Sequence, residues 1–221
     1  MGRDVHIAPV ANSGSTYFST LAANLRGADG RILPALLASY AKSVPAPDRV
    51  ALAAFSAGHG LLNLVADVAA DRDRISAMLL ADACFNAGDP KTGQGTPKAG
   101  YLKFALDAVA GKRLMVVTTS NATSGEYLSG RQSWELVWTE VQRQTGKTPV
   151  RLTPDPIATP KPSGGWWRLG ELLYWGDYTV PGSAYGAGSD ITHGYHANVL
   201  SPKVWSTFLA PYWAGQLGGG S

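Results

Sequence analysis

In the stretch RVALAAFSAGHGLLNLV, Arg49 to Val65, a ladder of small apolar residues ends at Phe55, one serine follows, and a second apolar segment begins near Gly58. Ala54-Phe55-Ser56-Ala57-Gly58 is a small-x-Ser-x-Gly pattern set between an expected strand and an expected helix. A turn this tight strains the backbone of the serine, so the residues two before and two after it must be nearly free of side chain. Ala54 stands where Gly is more usual and keeps that requirement. The same turn aims the backbone N–H of Ala57 and the positive end of the helix at a reacting oxygen. Nucleophilic attack by Ser56 on a carbonyl is the chemistry such a turn serves.

A serine hydroxyl needs a base, and the chain has four histidines. His6 precedes the expected catalytic strand, and His59 lies on the first turn after the serine, facing away from a partner there. His193 and His196 remain, in GSDITHGYHANVLSPKVW, between the last expected strand and the last expected helix. His193 is favoured, because the glycine-rich run Gly182 to Gly188 gives its loop reach over the sheet edge; His196 stays open as the alternative. Reading His193-x-x-His196 as metal ligands leaves no clear third ligand, so no metal is expected.

The imidazole in turn needs a carboxylate to orient it. Asp82 closes the strand after the serine unit, in AMLLADACF, and strand C-terminal ends are where such groups gather. Glu126, in TTSNATSGEY, is next in preference, with Asp177 and Asp190 as further options. For the oxyanion, the Ala57 N–H needs a second donor. The early loop APVANSGSTYF offers a backbone N–H between Val10 and Ser13 or the Asn12 amide.

The elements that must hold these residues read as alternating strands and helices, hence a mostly parallel sheet. The strand runs begin at Val5, Arg49, Ile75, Arg113 and Glu171; their near-continuous apolarity suits strands buried on both faces. Helices are expected at Leu33 to Lys42, Gly58 to Ala70, Leu102 to Val109, Ser129 to Thr145 and Pro202 to Tyr212. Gly146 takes the C-cap of the fourth, and Ser201-Pro202 reads as the N-cap and first position of the fifth. Asn86 to Gly100 and Thr153 to Trp167 are rich in Gly and Pro and read as long functional loops. A phosphate site in GSAYGAG lacks a helix start to close it.

The chain has 221 residues, 45% of them hydrophobic and 16% charged, which suits one globular domain over 1–215 followed by a flexible tail, 216–221. The formal charge is +3, but the 19 Lys and Arg are scattered, so no nucleic-acid partner is expected. Cys84 is the single cysteine, which rules out an internal disulfide and a thiolate metal cluster. The N-terminus shows no apolar core of a signal peptide, and no run approaches the roughly 18 apolar residues of a membrane span. A soluble, cytoplasmic protein without cofactor is the expectation, with a virion or extracellular location left open and the oligomeric state unread.

Taken together, AAFSAGHG, AMLLADACF, RLMVVTTSNATSGEY and GSDITHGYH resemble the α/β-hydrolase superfamily over most of the chain, in the order Ser56, Asp82, His193. FSAGHG followed by LLADACF looks like a little-characterised bacterial and phage-type subgroup. The resemblance implies a three-layer α/β fold with helices on both faces of the sheet. Only one strand precedes the serine, so a minimal sheet of about five strands follows, without the N-terminal antiparallel hairpin. It also implies a serine hydrolase acting on a small-molecule or polymer ester, less readily an amide. An acid after the strand next to the serine is a variation within that superfamily. The alternative is a non-catalytic binding or structural module on the same scaffold.

Overall fold

The computed structural model describes residues 15–40, 50–120, 126–157, 164–176 and 193–218. Helices α1 (Ser15–Leu25) and α2 (Leu33–Tyr40) precede strand β1 (Val50–Phe55). A short 3-10 turn, Ser56–Gly58, leads into α3 (His59–Asp67), followed by α4 (Ala69–Arg72) and β2 (Ile75–Ala81). A small hairpin, β3 (Gly88–Asp89) and β4 (Gln94–Gly95), precedes α5 (Ala99–Val109), β5 (Leu114–Thr119) and α6 (Gly130–Thr145). Then come β6 (Val150–Arg151), β7 (Gly165–Leu169) and β8 (Leu172–Gly176), and a helical run over 193–218 closes the described chain.

The main sheet has six strands in the order β1-β2-β5-β8-β7-β6. β1, β2, β5 and β8 are parallel, and β7 and β6 continue the sheet antiparallel. Both faces of the parallel part are covered, and strand alternation decides which residue goes where. Met78, Leu80, Met115, Val117, Leu172 and Tyr174 face one core with residues of α3, α5 and α6. Ala77, Leu79, Leu114, Val116, Leu173 and Trp175 face the other, under Leu200, Val204 and Leu209 of the C-terminal helix. This is a three-layer, mostly parallel α/β arrangement.

The strand count corrects the expected five. The Gly- and Pro-rich Thr153 to Trp167 does not stay a loop, because Gly165–Leu169 forms β7 and pairs antiparallel with β8. Leu169 pairs with Leu172 across a two-residue turn whose first residue, Gly170, has φ +62°, as a tight hairpin requires. A Cβ at Gly170 would also meet the backbone of Val109. The other expected loop, Asn86 to Gly100, carries the β3-β4 hairpin and the start of α5. The run at Val5 and the start of the Asn12 loop lie outside the described residues.

α6 begins as its sequence indicates. Ser129 caps it by accepting from the Gln132 N–H at 3.2 Å, while Gln132 Oε1 accepts from the Ser129 N–H at 3.0 Å, and Gly146 closes it at φ +65°. The last helix differs from expectation. Ser201-Pro202 is not its start: the helix is already under way at His193 and continues to Gly218, through the first residues of the expected tail. Pro202 instead sits inside it, between two wide π-helical stretches, His196–Leu200 and Trp205–Leu209. Pro202 brings no N–H and its ring crowds the carbonyl four residues back, in the His196–Leu200 stretch, whose widened winding accommodates it. Among the described residues no helix is long and apolar enough to cross a membrane.

Candidate active site

Three neighbouring parallel strands, β1, β2 and β5, end side by side, and the first residue beyond each is Ser56, Asp82 and Ser120. Adjacent strands lie about 4.8 Å apart, so a parallel sheet sets these three positions in a short row along its C-terminal edge. Ser56 and Asp82 are the two non-glycine residues with positive φ among those described, +52° and +43°. Each such residue costs about 1 to 3 kcal/mol, and the surrounding structure must hold it there. Ala54 is buried beneath the turn, and a Cβ built at Gly58 would meet the Ala54 methyl at 3.4 Å, an ordinary contact.

Asp82 is fully buried and His193 Nδ1 lies 2.7 Å from its Oδ2. An ionised carboxylate only accepts, so Nδ1 carries the proton and Nε2 is the basic nitrogen of the neutral ring. Ser120 completes the acid's surroundings: its N–H donates to Oδ1 at 2.9 Å and its hydroxyl to Oδ2 at 2.6 Å. Burial pushes the Asp82 carboxyl up, but the bond from His193, the charge of His196 and the Ser120 hydroxyl outweigh it and hold the group below the usual carboxylate value. A Cβ at Gly130, the first residue of α6, would overlap Asp82 Oδ1, so the carboxylate packs directly on a helix start that only glycine leaves open.

Aromatic rings frame the imidazole. Phe55, the residue before the serine, lies over His193 with centroids 4.4 Å apart and a 30° tilt; this places His193 beside the turn that carries Ser56. Phe85 approaches the same ring edge-on at 5.8 Å and meets Tyr127 at 5.5 Å. Phe55 is nevertheless 38% exposed, a large apolar side chain open to solvent at the site.

The remaining candidates make other contacts. His196 is fully buried three residues on, its Nδ1 3.0 Å from Thr118 Oγ1 and its ring against Trp175. Through Nδ1 the two histidines therefore address different partners. Glu126 is exposed, and the contact to His193 is made by Asp82. His59 turns toward Phe85, its carbonyl accepts from Tyr101 Oη, and its buried Nδ1 has no hydrogen-bond partner among the described residues. Burial, and then the charge of Lys98, lowers its pKa to about 3. Ala57 occupies the second position of the 3-10 turn. Asn12, His6, Asp177, Asp190 and the Gly182 to Gly188 run lie outside the described residues.

No family model, curated protein or solved structure matches this chain. The site therefore has to be read from its own geometry. Ser120, Phe55, Phe85 and Gly130 had no role in the reading of the sequence, yet all four touch the acid or the imidazole. The signal for Ser120 was its position, the first residue beyond the strand run RLMVVTT, equivalent to that of Asp82 beyond AMLLA. Trp166 and Trp175, of GGWWRLG and YWGDY, are both buried in the core under the C-terminal helix.

Proposed function

We propose that this protein is a serine hydrolase of α/β-hydrolase type that cleaves a carboxylic ester, with Ser56 as nucleophile, His193 as base and Asp82 as the acid that orients it. The observation that carries the reading is the pairing of a strained serine at a strand-to-helix turn with a histidine, stacked beside that turn, whose Nδ1 is held by a buried carboxylate. Ser56 Oγ attacks the ester carbonyl while His193 Nε2 takes the hydroxyl proton. Asp82 fixes the ring and offsets the charge of the imidazolium that forms. The Ala57 N–H and a donor from the Asn12 loop receive the negative charge that develops on the carbonyl oxygen. The imidazolium returns its proton to the departing alcohol, and water, deprotonated by the same histidine, then releases the acyl group from Ser56. Phe55, exposed beside the serine, offers an apolar face to an acyl chain or an aromatic leaving group.

A fluorophosphonate probe reports the activated serine directly. The wild-type protein is expected to be labelled, and Ser56→Ala, with an unchanged circular dichroism spectrum, is expected to lose the label. Labelling that persists in Ser56→Ala, or a folded wild type that neither labels nor hydrolyses short p-nitrophenyl esters, would overturn the proposal in favour of a non-catalytic module.

A further inference from the structure

We infer that Ser120 is a positioning residue of this site: its amide and hydroxyl together fix the Asp82 carboxylate in the plane that directs one oxygen at His193 Nδ1. The inference rests on the hydrolase reading above. A carboxylate turns freely about its last torsion, whose energy profile is broad, so a single bond to an imidazole does not set its orientation. Ser120 removes that freedom by spanning both oxygens, with its N–H 2.9 Å from Oδ1 and its Oγ 2.6 Å from Oδ2. The hydroxyl has to donate here, because the ionised acid has no proton to give. It therefore shares Oδ2 with the imidazole, whose Nδ1 is 2.7 Å away.

Among the described residues this task falls to Ser120. Asp82 is fully buried and Ser120 is 3% exposed, so bulk solvent does not reach the pair. On the Oδ1 side the neighbour is Gly130, which has no side chain to offer. Ser120 is itself anchored at both ends: it follows β5 directly, and its carbonyl accepts from the Arg131 N–H of α6 at 3.0 Å. The acid thus comes from the end of one strand and its holder from the end of the next. The strand after the acid's contributes two donors through the first residue beyond its end.

The test compares wild type, Ser120→Ala and Ser120→Thr in the rate of fluorophosphonate labelling, in kcat and KM for a short p-nitrophenyl ester, and in the downfield proton resonance of the His193 Nδ1–H. A hydrogen bond to a charged group is worth roughly tenfold or more in an equilibrium, so Ser120→Ala is expected to lower labelling rate and kcat about tenfold with KM unchanged. It should also shift or broaden the Nδ1–H resonance, and Ser120→Thr, which keeps the hydroxyl, should restore rate and resonance. Wild-type rates and an unmoved resonance in folded Ser120→Ala overturn the inference, as does equal loss in Ser120→Thr with the resonance intact. Failure of the wild type itself to label instead strikes the hydrolase reading.

Discussion

At the scale of single residues, burial alone does not mark a functional acid. Asp71 is as buried as Asp82, but its Oδ2 accepts the Ile32 and Leu33 N–H groups at 2.6 and 3.0 Å and its Oδ1 faces the Arg31 guanidinium, so it serves the start of α2. What distinguishes Asp82 is its place at a strand end with φ +43° and a histidine on one oxygen. Ser56 and Asp82 were readable because an apolar run that stops at a lone polar residue is a local pattern. Ser120 stands at the equivalent strand end but is not a lone polar residue, because its neighbours Thr118 and Thr119 are polar too, so the local pattern does not single it out. His59 gives a prediction at this scale. Its folded pKa of about 3 lies below the unfolded 6.5, so the unfolded chain binds more protons in between. Stability is then complete above about pH 6.5 and falls as pH drops toward 3, by at most about 1.4 kcal/mol per pH unit from this group. Urea unfolding at pH 7 and pH 4.5 should show the loss, and His59→Gln should flatten it.

At the scale of elements, α6 was legible almost to the residue, because a capping box and a terminal glycine are chemical signals in adjacent positions. Its first residue was not, since nothing local says that Gly130 lies against an acid 48 positions earlier in the chain. Helix propensity alone would have Gly130→Ala gain up to about 1 kcal/mol. The overlap with Asp82 Oδ1 reverses that sign: the variant is expected to unfold at lower urea and to label with fluorophosphonate more slowly than wild type. β7 escaped the sequence reading for a different reason. Gly and Pro ahead of Trp166 signal a loop, whereas strand pairing with β8 is a long-range gain that the local composition does not carry. The choice between His193 and His196 was likewise not local, because it depends on how the helix that bears both is wound.

At the scale of the whole molecule, the site rests on a sheet whose two faces are sealed by unlike layers, several helices on one side and a single long helical run on the other. Trp166 and Trp175 lie under that run, with Trp166 packed against Phe208 at 5.0 Å. Trp166→Ala should therefore cost about 3 to 5 kcal/mol in urea unfolding. Labelling should survive in the fraction that remains folded, since the indole stands apart from the serine. Alternation along the strands made this layering readable in outline, and the C-terminal stripe Val204, Trp205, Phe208, Leu209 was correctly apolar. Its geometry was not readable from an ordinary helical period. Val204 and Leu209, five residues apart, both face the sheet because the Trp205–Leu209 stretch is wound wide. The aim of the imidazole is consequently a matter of counting. A chain one residue shorter between Val204 and Leu209 would set the two four apart, still on one face of a regularly wound helix, whereas one residue removed from the regular turn Ser201–Val204 would, at about 100° per residue, swing everything upstream round the helix axis, His193 with it.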